Sequence, residues 1–211
     1  LRDFVTVKGD GELRNTRIFP KNNTDDLFFM GNGCYLFQMT FRGLRYPGWC
    51  ARIRPGALVT TSPYVQNCTN MNGPWLNDGT EFIPFETVQI EGIEPGARPL
   101  QVSDYPDLPT AKQVNDTGGG GGILVDGDEY DPASLVFSFV ADAFTQISQG
   151  GIGFHITNFG YTQIVSCFSV FCSVGFLTTK GGYLSISNSV SDFGLEGVKA
   201  DGFYPIAYTS A

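Results

Sequence analysis

Two consecutive stretches, GYTQIVSCFSVFCSVGFLTTKG at residues 160–181 and GYLSISNSVSDFGLEGVKADGF at residues 182–203, decide the fold. Laid over each other at an offset of 22, they place Gly160 on Gly182, Tyr161 on Tyr183, Ile164 on Ile186, Ser169 on Ser191, Phe171 on Phe193 and Gly175 on Gly197. Phe168 meets Val190, and Phe176 meets Val198. The same step carries Gly153-Phe154 onto Gly175-Phe176, so three repeats stand in register. No helical period runs inside them. A repeat of this length built from strand-forming residues predicts a parallel solenoid, each rung made of two or three short strands stacked on the next at about 4.8 Å. Because connections between parallel strands are right-handed, the expected fold is an all-β, right-handed parallel β-helix with rungs of about 22 residues. The glycines are expected to turn its corners, and the aligned Tyr, Ile and Phe to stack as ladders within the coil. A β-sandwich with Gly-rich turns is the alternative.

Outward from that repeat the pattern loosens. Gly122-Ile123-Leu124-Val125-Asp126-Gly127 matches Gly197-Val198-Lys199-Ala200-Asp201-Gly202 as a fourth copy, with the acidic segment 128–134 read as a loop inserted after it. Tyr35 to Phe41 and Tyr64 to Thr69 alternate as strands of earlier, less regular rungs. Half of the 12 prolines fall between Pro74 and Pro109, and five glycines follow at Gly118 to Gly122. Residues 74–121 are therefore read as a Pro/Gly-rich insertion in a β-helix spanning 22–211. Residues 1–21 are read as a connecting segment. The chain begins Leu1-Arg2-Asp3 without a Met, and is expected to be an excerpt of a longer polypeptide.

Composition narrows the function. The 211 residues include 27 Gly and 18 Phe with only 16% charged residues, which favours strands and tight turns. A net charge of −8 without a Lys/Arg cluster argues against nucleic acid, and no apolar run reaches the roughly 20 residues of a membrane-spanning helix. Cys34, Cys50, Cys68, Cys167 and Cys172 are odd in number and scattered through apolar contexts, so they read as reduced core residues. The single histidine, His155, alternates with Phe154 and Ile156 and leaves little for zinc chemistry. No cofactor or metal is expected. The short glycosylation sequons at Asn22, Asn67 and Asn115 carry little weight.

Three segments, Ser62 to Asn70, Asp142 to Gly151 and Ser191 to Gly202, in that order resemble large virion structural proteins of contractile-tailed marine phages, including cyanophages. The resemblance implies a β-helical part of the tail, baseplate or fibre apparatus. It implies other virion proteins as partners, a homotrimer by analogy with fibres and spikes, and a possible host surface glycan as contact. It supplies no catalytic residue.

The alternative reading is catalytic. A tailspike-like depolymerase requires paired carboxylates or a base with cation ligands. Asp142, Asp192, Glu196 and Asp201 on the coil, and Asp126, Asp128, Glu129 and Asp131 beside the inserted loop, are the candidates. Asp126 and Asp201 each precede a glycine at the end of an apolar strand, which is turn chemistry. With only Lys180 and Lys199 in the repeats, an acidic sugar finds no clamp. The glycine run lacks the Lys-Ser/Thr and the helix of a phosphate loop. The third reading is a carbohydrate-binding module, with Trp75, Phe82, Phe85 and Tyr105 as aromatic contacts for a glycan or a partner subunit.

Overall fold

The computed structural model describes residues 1–11, 16–22, 24–44, 47–53, 60–72, 120–127, 138–148 and 150–202. Every regular element among them is a strand. Grouped by threes in chain order, the strands form six rungs: β1 Thr6–Lys8, β2 Arg17–Ile18, β3 Phe28–Phe29; β4 Tyr35–Phe37, β5 Thr40–Arg42, β6 Trp49–Ile53; β7 Tyr64–Gln66, β8 Thr69–Asn72, β9 Gly121–Asp126. The later three are β10 Phe139–Asp142, β11 Thr145–Ser148, β12 Ile152–Thr157; β13 Tyr161–Val165, β14 Phe168–Val170, β15 Val174–Thr179; β16 Tyr183–Ser187, β17 Val190–Asp192, β18 Glu196–Asp201.

Each strand pairs in parallel with the strand three places on, so the chain visits three six-stranded sheets in rotation. Sheet A holds β1, β4, β7, β10, β13 and β16, sheet B the strand after each of these, and sheet C the third. In the last rungs the pairing is at the 22-residue offset: Tyr161 against Tyr183, Phe168 against Val190, Phe176 against Val198. Ile123 pairs with Phe154 at 31, so the extra residues fall between β9 and β10, where the acidic loop was expected. Residues 1–21, read from sequence as a connection, contribute β1 and β2, which pair with β4 and β5. Their offsets of 29 (Thr6 to Tyr35) and 23 (Arg17 to Thr40) hide them from a 22-residue search.

The period-2 alternation of a strand turns every second side chain inward. Sheet A sends in the column Val7, Leu36, Val65, Ala141, Ile164 and Ile186, and sheet C sends in Ala51, Ile123, Phe154, Phe176 and Val198. Phe154 and Phe176 lie stacked with centroids 5.2 Å apart and are buried, as are Leu36, Ile123 and Ile164. Sheet B differs. Its inward column runs Ile18, Phe41, Asn70, Gln146, Ser169 and Ser191, polar from the third rung onward. Buried amides require partners, and Asn70 Nδ2 donates to Gln146 Oε1 at 2.8 Å while Gln146 Nε2 donates to the Gly120 carbonyl at 3.2 Å.

That polar column explains the glycines repeated inside sheet C, which do not take the corner role expected of them, whereas Gly150 and Gly181, at positive φ in turns between strands, do. Gly153, Gly175 and Gly197 are the second residues of β12, β15 and β18, not corner residues. A Cβ on Gly153 would fall on the Ser169 hydroxyl and the Gly175 carbonyl, and one on Gly175 on the Ser191 hydroxyl and the Gly197 carbonyl. The glycines thus let sheet C close onto sheet B. Gly122, the last of the five consecutive glycines, does the same against Gln146 and the Gly153 carbonyl. The corner between sheets A and B is turned instead by Gln38, Asn67, Ala143, Ser166 and Asn188, all at positive φ of 48–60°. The residue after each points in, and Met39, Cys68, Phe144 and Cys167 are fully buried there.

Candidate functional site

Two groupings on the outside of the sheets bring together side chains able to do chemistry. On sheet C the outward column Arg52, Leu124, His155, Leu177 and Lys199 is flanked by the row Asp126, Thr157, Thr179 and Asp201. Arg52 reaches Asp26 at 3.2 Å and Asp126 at 3.6 Å, and Asn158 Nδ2 donates to Asp126 Oδ1 at 2.7 Å. Asp26 also accepts the Trp49 backbone N–H at 2.8 Å. His155 Nε2 lies 2.9 Å from Thr179 Oγ1, which donates to Thr157 Oγ1 at 2.8 Å. Burial pushes the pKa of His155 down, and the Asp126 charge partly opposes this, so the ring is neutral at pH 7. The Trp49 ring stands 6.1 Å from His155, tilted by 41°.

The chemistry of this cluster is consumed within it. Asp126 sits at a strand end, as its Asp-Gly pair predicts, and both it and Asp26 are spent on one guanidinium that ties β6 to β9 and to the segment before β3. Such a shared ion pair holds rungs together, whereas a general acid or base needs a carboxyl facing a substrate. The coil carboxylates are dispersed. Asp142 lies on sheet A, Asp192 on sheet B, and Glu196 and Asp201 at opposite ends of β18. Asp142 accepts from Gln66 Nε2 at 2.7 Å, Asp192 from the Phe193 backbone N–H at 3.0 Å, and Glu196 pairs with Lys199 at 3.2 Å. Among the described residues no group of three potential metal ligands forms. Asp128, Glu129 and Asp131, like Trp75, Phe82, Phe85 and Tyr105, lie outside the described residues.

The second grouping is the outward face of sheet A. Its first column is Thr6, Tyr35, Tyr64, Val140, Gln163 and Ser185; its second is Lys8, Phe37, Gln66, Asp142, Val165 and Ser187; Tyr161 and Tyr183 add a third on the last two strands. Tyr161 and Tyr183 have ring centroids 4.9 Å apart, and Tyr35 meets Tyr64 at 6.1 Å, edge to face. Tyr35 also lies 5.6 Å from Phe37, whose ring carries the Lys8 ammonium 5.6 Å from its centroid. A hydrogen-bonded chain crosses the strands, from the Tyr35 hydroxyl to Gln66 Oε1 and from Gln66 Nε2 to Asp142. Gln163 Nε2 donates to the Tyr161 hydroxyl at 3.1 Å.

This face revises the ladders expected inside the coil. Of the residues singled out for stacking, Ile164 and Phe176 are buried, but Tyr183 is 61% and Phe193 73% exposed. Phe171 and Phe193 do stack, 5.5 Å apart, at an outer corner with both residues at positive φ. The reason is parity: Tyr161 lies an odd number of residues from the inward Ile164, so it faces out. Tyr35, Phe37, Tyr64, Gln66 and Gln163 escaped the sequence reading. The signal was the 29-residue offset that lays Tyr35-Leu36-Phe37-Gln38 on Tyr64-Val65-Gln66-Asn67. Comparison with protein-family models, with curated proteins and with solved structures gave no match to this chain.

Proposed function

We propose that the chain is a right-handed parallel β-helix serving as a non-enzymatic, rigid part of a phage virion, in the tail, baseplate or fibre apparatus. Pairing of every strand with the strand three places on carries this reading. A stack so paired resists bending and shear through hydrogen bonds running along its axis, which suits a load-bearing rod or platform. The right hand follows from the chirality of connections between parallel strands. The three segments that resemble virion proteins occupy the β7–β8 corner, the β10–β11 corner with its following turn, and β17–β18.

The reading extends to assembly into a homotrimer with neighbouring virion proteins. Antibodies raised against this chain are expected to decorate purified particles at the tail or baseplate in electron micrographs. Decoration absent from intact and tail-dissociated particles alike sinks the virion role. Light scattering of the full chain is expected to give three times the monomer mass, and a monomer at high concentration removes the trimer while leaving the virion role standing.

A further inference from the structure

On the outside of sheet A, rings and polar termini alternate over neighbouring strands. Tyr64 is 42% and Tyr183 61% exposed, and Gln163 and Ser185 are exposed beside them. Two aromatic clusters, Tyr35/Phe37/Tyr64 on β4 and β7 and Tyr161/Tyr183 on β13 and β16, flank β10, which presents the smaller Val140 and the carboxylate of Asp142. At the strand spacing, Tyr64 and the β13 row are about 10 Å apart across that strand. The polar groups are held in place: Gln66 is fixed from both sides by Tyr35 and Asp142, and Gln163 by Tyr161.

We propose that this face binds a neutral, hydroxyl-rich glycan chain lying across the strands. Tyr64, Tyr161 and Tyr183 are its stacking platforms, and Gln66, Asp142 and Gln163 its hydrogen-bonding groups. A sugar ring presents C–H faces and equatorial hydroxyls side by side, which an exposed ring next to a fixed amide or carboxylate matches. A protein partner would need an apolar centre depleted of charge; here Asp142 occupies the middle strand. Polyanions are disfavoured as well. Lys8 is the one cation among the described residues of this face, at its β1 edge over Phe37, and the chain carries −8 overall. The proposal does not depend on the virion role: a chain located outside any particle retains the same face.

Native affinity electrophoresis of the full chain through gels holding dextran, xylan, galactan or mannan, with alginate as the anionic comparator, tests it. Retardation is expected by at least one of the four neutral polysaccharides, little changed by added salt. Tyr64→Ala and Tyr183→Ala are expected to weaken it about five- to tenfold each, with an unchanged thermal unfolding midpoint. Phe193→Ala, which removes a still more exposed ring at the corner between sheets B and C, is expected to bind as the parent does. No retardation by any of the four, retardation by alginate alone, or equal retardation of the parent and both tyrosine variants overturns the proposal.

Discussion

At the scale of single residues, the glycines and cysteines have assignments that substitution can check. Gly153 has no room for a side chain, since a Cβ would overlap the Ser169 hydroxyl and the Gly175 carbonyl of the next rung. Gly153→Ala is expected to cost about 1–3 kcal/mol and to lower the Tm by several degrees, read by circular dichroism. An unchanged Tm would show that sheets B and C part without cost. The cysteines are thiols in the core: burial pushes Cys68 and Cys172 up to about 11 and Cys167 to about 12 from an ordinary 9.0. A group whose pKa is higher folded than unfolded holds its proton longer in the fold. Its stabilising share is complete below pH 9 and is lost as pH rises from about 9 towards 12. The urea midpoint is therefore expected to fall between pH 8 and pH 10.5, and less steeply in Cys167→Ala, although that variant starts lower at pH 8 because of the cavity it opens.

At the scale of elements, the corner joining sheet A to sheet B is one device used five times. A residue at positive φ ends the strand, and at four of the five corners its successor, Met39, Cys68, Phe144 or Cys167, is fully buried in the core. Asn67 and Asn188 suit that conformation, since a short amide tolerates the left-handed region; Ala143, at φ 49°, does not. Relieving it is worth roughly 1–2 kcal/mol, and the extra chain entropy of glycine takes back about 0.5–1. Ala143→Gly is accordingly expected to raise stability by about 0.5–1 kcal/mol in a denaturant titration, while Ala143→Val lowers it by more than 1. A loss of stability in the glycine variant would mean that this corner carries no strain. The glycines recurring inside sheet C have a sequence logic only once this corner is known to be turned without glycine, which leaves Gly153, Gly175 and Gly197 for the strand interior.

At the scale of the whole molecule, the stack tolerates interruption where one sheet hands over to the next. β8 ends at Asn72 and β9 begins at Gly121, with 48 residues between them, yet Thr69 pairs with Thr145 and Trp49 with Gly121 as in an uninterrupted rung. The corresponding handover from Ser148 to Ile152 needs three residues. Joining Asn72 to Gly120 through two residues reproduces that spacing. This excision is expected to leave one cooperative unfolding transition and a strand-type far-ultraviolet spectrum, since loop-closure entropy changes slowly with loop length. Unfolding in two steps, or a chain that does not fold, would show that residues 73–119 hold the rungs together.

The fold was legible in the sequence where successive rungs have equal length. Tyr161/Tyr183, Ile164/Ile186 and Phe176/Val198 pair as the 22-residue register predicts, because parallel stacking puts equivalent residues in hydrogen-bonded rows. Rungs of other lengths escaped it: β1 and β2 looked like a connection because a register search sees only constant spacing. The odd number and apolar contexts of the cysteines likewise pointed to buried thiols, and the Asp-Gly pair to Asp126 at a strand end. Tertiary structure alone decided which side of each sheet faces out, since every sheet of the stack has two faces and a repeat marks both equally. So Tyr161 and Tyr183 moved from an interior ladder to an outer face, where they joined the side of the sheet that carries Tyr35, Tyr64 and Asp142. It alone decided that Asp26, Arg52, Asp126 and His155, spread over 130 positions from Asp26 to His155, would share one surface of sheet C.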